Sequence, residues 1–211
     1  MKLKLLIAAV AIVVVGCKAQ SNDTAPSVTN TWLDKPAAEQ AQAIRNGTLT
    51  SEQLVTGYLA RIEERDKKVN SILVLNSNAI AQAKAADEQT QKGTFTGPLH
   101  GIPVLLKDNI EASELPTTAG SMALVNNRTG RDAPIVANLK AAGAIILGKT
   151  NLSEWANFRS ESSISGWSAV GGLTRNPHLL SRTACGSSSG SGAAAYPCRY
   201  RQRYTYYRSR A

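Results

Sequence analysis

The sequence predicts an α/β domain built in layers around a largely parallel sheet. Three observations carry that prediction: a helical period that stops at a glycine, a buried apolar run that begins within two residues of such a stop, and the recurrence of capping residues directly after that run. With 211 residues, 43% of them apolar and 18% charged, the chain can bury one sizeable core.

The elements follow in order. Thr50 opens a helix, because Gln53 three residues on completes a capping box and Leu54, Val55, Tyr58, Leu59 and Ile62 repeat on one face. A second helix is expected from Ser77 to about Gln91, stopped by Gly93. Gly97-Pro98 turns the chain into Ile102-Pro103-Val104-Leu105-Leu106, a short apolar run that reads as a buried strand ending on Lys107. Asp132 is placed as the cap of a third helix with Pro134 in its first turn, and Gly143 closes that helix before the strand Ala144 to Leu147. Asn151 and Glu154 are read as the next capping box, opening a further helix.

The two ends read differently from this body. Lys2 and Lys4 precede the 11-residue apolar run Leu5 to Val15, too short for a resident membrane span but suited to a secretory leader. Residues 1–16 are therefore expected to be a signal peptide. The closing Val14-Val15-Gly16-Cys17 resembles a bacterial lipobox, with Cys17 as the acylated first mature residue and the cell envelope as destination. Residues 17–31, rich in Ser, Asn, Thr, Ala and Gln, read as a lipidated tether, and residues 32–195 as the domain. From Tyr196 to Ala211 the chain holds five tyrosines and five arginines but no Leu, Ile, Val or Phe, a break with everything upstream. That tail is expected to be a reading-frame slip or premature end, in preference to an anion-binding tail. The formal charge of +9 dissolves on the same division, since leader and tail set aside leave 17 basic against 15 acidic residues. A nucleic-acid partner is not expected. Cys185 and Cys198 permit one disulfide without implying it.

Several residues could carry chemistry. Gly143 to Thr150 matches the phosphate-loop pattern in letters only, because its four spacer residues are the strand itself and cannot form a cradle of converging N–H groups. Gly186-Ser187-Ser188-Ser189-Gly190-Ser191-Gly192 reads either as a flexible linker or, since Ala193-Ala194-Ala195 continues it as a helix, as hydroxyls and amides gathered at a helix start. Lys107 at a strand end either snorkels to water or, if buried, loses proton affinity and serves as a general base toward a serine. His100 and His178 lack the ligand spacing of a metal site and the neighbouring acid of a Ser-His-Asp triad. No cofactor is expected. Cys185, without a nearby base, is read as a small packing residue.

Taken together, Gly97-Pro98-Leu99-His100-Gly101-Ile102-Pro103 with Leu106-Lys107-Asp108-Asn109, Thr117-Thr118-Ala119-Gly120-Ser121, Gly148 to Trp155, Thr174-Arg175-Asn176-Pro177 and Gly186 to Gly192 resemble the amidase signature family, in the family's order. The resemblance implies a layered α/β/α fold with a mixed central sheet, incomplete in this chain, and hydrolysis of a small carboxamide or peptide-like amide. It also implies a Ser-cis-Ser-Lys triad, with Lys107 as base and Ser187 as the middle serine after a cis peptide bond.

The chain departs from that pattern. The family's nucleophile lies in a Gly-Thr-(Asp or Glu)-x-Gly-Ser segment about two dozen residues beyond the middle serine, and no such segment occurs here; Ser209, flanked by Arg208 and Arg210, does not supply it. Ala184-Cys185 stands where the family usually has Pro-Gly or Pro-Cys. The expectation is an amidase by descent that is inactive as given. The other readings are a component of the tRNA-dependent amidotransferase, against which the leader argues, and a non-catalytic envelope lipoprotein.

Overall fold

A computed structural model describes residues 30–195. The expected signal peptide, Cys17 and nearly all of the tether lie outside the described residues, as do Cys198 and the Tyr/Arg tail.

The chain enters through α1 (Asn30–Leu33) and α2 (Ala37–Arg45) and continues into α3 (Ser51–Val69). The capping box at Thr50 forms as expected: Gln53 N donates to Thr50 Oγ1 at 3.0 Å and Thr50 N to Gln53 Oε1 at 3.0 Å. A second anion strengthens this helix start, because Ser51 N and Glu52 N donate to the two oxygens of Asp87 at 2.7 and 2.9 Å. Leu54 and Val55 are fully buried, and Tyr58, Leu59 and Ile62 pack partly buried along the same side. Complete burial of such a side chain contributes about 1.5–3 kcal/mol, so this stripe fixes the helix on the sheet.

Next come β1 (Ile72–Leu75), α4 (Ala79–Gln91) and β2 (Pro103–Lys107). β1 has no counterpart among the expected elements. The second helix begins two residues later than its sequence suggests, with Asn78 at its cap, and Gly93 follows at φ 71°. After a long loop, α5 (Pro134–Ala141) leads through Gly143 at φ 89° into β3 (Ile145–Thr150). The sheet runs β1-β3-β2, with β2 parallel and β1 antiparallel to β3. It is thus mixed, and the largely parallel sheet read from the alternation is corrected by β1. Gly148 makes that pairing possible, since a Cβ there would sit 2.4 Å from the Val74 carbonyl oxygen.

Strand alternation divides the core into layers. Ile145 and Leu147 pack with Val55, Ala79 and Ala83 of α3 and α4, whereas Leu106 and Ile146 pack with Val136 of α5. The remaining elements are the hairpin β4 (Trp167–Ser168) and β5 (Gly172–Leu173) and the final helix α6 (Ser189–Ala195).

Two capping expectations fail because tertiary partners take the side chains. Ala133 occupies the cap position of α5 without a side-chain bond, while Asp132 accepts from Lys140 Nζ at 2.9 Å and Ser113 N at 2.7 Å. No α-helix opens at Asn151. Its amide donates to Gly172 O and Thr174 Oγ1, and Glu154 accepts from Ala169 N. Residues Glu154–Asn157 instead form a 3₁₀ turn in which Trp155, Ala156 and Asn157 all have positive φ, at 49°, 56° and 66°. Each such residue costs on the order of 1–2 kcal/mol, so the turn persists only through its outside attachments.

Candidate active site

Lys107 is the last residue of β2, paired across the strands with Thr150, and its side chain leaves the face of the sheet on which α6 lies. Ser187 stands two residues before α6. Its Oγ accepts a hydrogen bond from Lys107 Nζ at 3.2 Å, so residues 80 positions apart meet at one point. Both are partly exposed, which leaves the pair open to a substrate. Burial lowers the Lys107 ammonium from its ordinary value, the direction that makes the neutral amine available.

The serine loop is fastened to the end of β3 at several points. Ser153 N donates to the Ser187 carbonyl at 3.2 Å, and Ser153 Oγ reaches Gly186 O at 3.3 Å while accepting from Gly166 N at 2.8 Å. Thr150 Oγ1 and Ser191 Oγ lie 2.7 Å apart, and Gly190 N donates to Asn151 O at 3.1 Å. Gly190 must be glycine for this approach, since a Cβ would stand 2.2 Å from that same oxygen. The loop is therefore part of the folded domain, and the flexible-linker alternative does not hold. The helix starts inside the serine run, at Ser189, which is buried.

Other expectations meet mixed outcomes. The peptide bond before Ser187 is trans, since no peptide bond among the described residues is cis. Cys185 does not pack: its thiol is free and exposed, and its φ of 61° turns the chain sharply into Gly186. His100 is buried, accepting from Thr96 N on Nδ1 and placing Nε2 3.0 Å from Ala86 O, which makes it a bracket between α4 and the turn before β2. Lys149 holds no phosphate loop together. It lies fully buried with its Nζ 2.9 Å from Asp108 Oδ1, also donating to Pro116 O and Thr117 Oγ1.

Asp108 and Ser153 are residues that sequence reasoning did not single out beside Lys107 and Ser187. Asp108 follows Lys107, and its Oδ2 accepts from both the amide and the hydroxyl of Thr118. The available signal was a carboxylate directly after an apolar strand, a position where burial demands a partner. Among the described residues no group of three His, Cys, Asp or Glu side chains could hold a metal ion, and no helix is long and apolar enough to cross a membrane.

Comparison with known proteins gives consistent relatives. The family model described as Amidase matches residues 53–195. The chain is 48% identical over 152 residues to a probable amidase of Arabidopsis thaliana, At4g34880, covering 71% of this chain and 30% of that protein. It is 37% identical over 159 residues to the indoleacetamide hydrolase of Bradyrhizobium diazoefficiens, covering 75% and 29%, and 42% identical over 159 residues to a component of the glutamyl-tRNA(Gln) amidotransferase of Streptomyces avermitilis, covering 75% and 31%. Among solved structures, the native peptide amidase from Stenotrophomonas maltophilia superposes with a TM-score of 0.76 at 47% identity, covering 79% of this chain and 34% of that one. The chain thus spans about a third of the length of these relatives.

Proposed function

This chain belongs to the amidase family, and from that membership we propose that the protein hydrolyses the C–N bond of a small carboxamide or peptide-like amide, with Lys107 as general base and Ser187 as proton relay. The observation that carries the reading is the 3.2 Å approach of Lys107 Nζ to Ser187 Oγ, together with the burial that lowers the lysine's proton affinity. In the neutral state Lys107 accepts the Ser187 proton while Ser187 takes one from the nucleophilic serine. The nucleophile's oxygen adds to the amide carbon, the proton returns through Ser187 to the leaving nitrogen, and the C–N bond breaks to leave an acyl-enzyme that water hydrolyses. The family's Gly-Thr-(Asp or Glu)-x-Gly-Ser segment has no match in these 211 residues, so the nucleophilic serine in this scheme is the one the family motif implies and no residue of this chain is assigned to it. We further read Cys17 as acylated after removal of residues 1–16, which ties the protein to the envelope membrane.

The decisive experiment replaces the matching third of the Stenotrophomonas peptide amidase with residues 53–195. Hydrolysis of a peptide amide by that chimera, reduced about 10²–10⁴-fold by Lys107→Ala and by Ser187→Ala, is the expected result. Undiminished turnover in either variant removes the assignment. The lipid reading is checked separately by incorporation of radioactive palmitate, which Cys17→Ala should abolish.

A further inference from the structure

We propose that Asp108 and Lys149 are positioning residues that set the approach of Lys107 to Ser187 from the opposite face of the sheet. The inference rests on the base-and-relay reading of Lys107 and Ser187 and goes beyond it, because neither Asp108 nor Lys149 touches the Lys107–Ser187 contact.

The strand end at Lys107 has one partner strand, β3, where it pairs with Thr150, and its carbonyl accepts from Ile110 N at 3.0 Å, so what lies behind the strand end sets its side chain's direction. Asp108, the next residue, turns to the other face. Its amide donates to Thr150 O at 3.2 Å, its carbonyl accepts from Ala119 N at 3.0 Å, and its carboxylate accepts from Thr118 through both the amide and the hydroxyl. Lys149, one residue before Thr150, closes the arrangement with its ammonium 2.9 Å from Asp108 Oδ1 and bonds to Pro116 O and Thr117 Oγ1 at 3.1 and 3.0 Å. Both side chains are 0% exposed. A buried ion pair adds little stability over well-packed apolar residues, so its specific contribution here is geometric.

The attachment continues as a closed circuit. Ala119, fixed by Asp108, accepts from Trp155 N at 2.9 Å through its own carbonyl. Trp155 opens the left-handed turn, and two residues earlier Ser153 N donates to the Ser187 carbonyl. Ser187 Oγ then meets Lys107 Nζ, beside Asp108 where the circuit began. Loosening the buried pair releases the 116–119 loop, the outside attachment of the strained turn, and with them the Ser187 backbone. Every link is a hydrogen bond or a peptide bond, so displacement at one end is passed on to the other.

The test is competitive acylation of amino groups in the full 211-residue chain across pH, read by mass spectrometry, with hydrogen exchange measured alongside. In the natural folded chain Lys107 should label with a midpoint below the ordinary lysine value of 10.5, and so below the midpoint the same residue shows in the urea-unfolded chain. Asp108→Asn/Lys149→Met should move the folded midpoint toward the unfolded one and accelerate exchange at the Ala119 and Trp155 amides at least about tenfold relative to Leu54. An unchanged midpoint in a cooperatively folded double variant overturns the inference. So does a shifted midpoint without faster exchange, because removal of the two charges alone would then account for it. If the double variant does not fold, Thr117→Val, which removes the hydroxyl that accepts from Lys149 Nζ at 3.0 Å, decides by the same two readouts. A natural chain whose Lys107 labels with the same midpoint folded and unfolded fails at the first step, sinking the base reading and this inference with it.

Discussion

Asp108 and Lys149 meet as a carboxylate and an ammonium 2.9 Å apart with no solvent exposure on either side chain. Removing one partner of such a pair leaves an uncompensated buried charge, which costs about 3–5 kcal/mol. Lys149→Met is therefore expected to lower the unfolding free energy by that amount. Asp108→Asn/Lys149→Met should recover about 1–3 kcal/mol of the loss, since the Asn still accepts from Thr118 and no bare charge remains. Urea unfolding of the three proteins measures the difference; equal stability of the single and double variants would mean that water reaches Asp108.

Much of this arrangement was legible in the sequence. The capping box at Thr50 and the glycines at 93 and 143 use partners within a few residues and formed, and the strand ending on Lys107 showed in its own apolar run although its partner β3 is distant in the chain. What escaped depended on partners far along the chain. Ile72 to Leu75 offers only four strand residues, and they become a strand by pairing with Gly148 to Thr150 of β3. Asp132 and the pair Asn151/Glu154 carry true capping chemistry but spend it on Lys140, Thr174 and Ala169. The positive φ of Trp155, Ala156 and Cys185 occurs in residue types that seldom adopt it, so no local pattern announces it. At the site, the motifs singled out Lys107 and Ser187 as candidates, whereas the contacts of Asp108 with Lys149 and of Ser153 with Ser187 join residues far apart in the chain, which no local pattern announces.

The two glycines of α6 should respond in opposite directions to the same substitution. At Gly190 a Cβ would lie 2.2 Å from Asn151 O and 2.6 Å from Ser71 O, both backbone atoms that cannot step aside cheaply. Gly190→Ala is expected to cost about 3 kcal/mol or more and to detach the serine loop from β3. At Gly192 nothing lies within 4 Å, so Gly192→Ala should leave the fold intact and gain roughly 0.5–1 kcal/mol from helix propensity. Thermal unfolding of both variants separates these effects, and a neutral Gly190→Ala would refute the close approach of α6.

Lys107 also predicts a dependence of stability on alkaline pH. Burial holds its ammonium below the ordinary value of 10.5, so between the lowered value and 10.5 the folded chain binds fewer protons than the unfolded chain. Stability contributed by this group must therefore rise with pH across that window. Lys107→Met removes the titration, and the stability advantage of Met over Lys should shrink as pH is raised from about 7 toward about 10. Parallel profiles for the Lys107 variant and the natural chain would show that the lysine keeps its ordinary proton affinity.

The 211-residue chain by itself is expected to hydrolyse no amide above background. Lys107 can accept a proton through Ser187 only if a further hydroxyl supplies one while attacking a carbonyl. The nearby hydroxyls are otherwise occupied: Ser191 faces Thr150 at 2.7 Å, and Ser153 is engaged by Gly186 O and Gly166 N. Ser189 is 2% exposed, which closes it to substrate. Ser188 is exposed, and its position on the same short loop as Ser187 makes it the hydroxyl among the described residues that could betray this expectation. Release of p-nitroaniline from an amino-acyl p-nitroanilide, abolished by Ser188→Ala and by Lys107→Ala alike, would reassign the nucleophile to Ser188. Background rates in all three proteins would bear out the expectation that none of these 211 residues serves as the nucleophile.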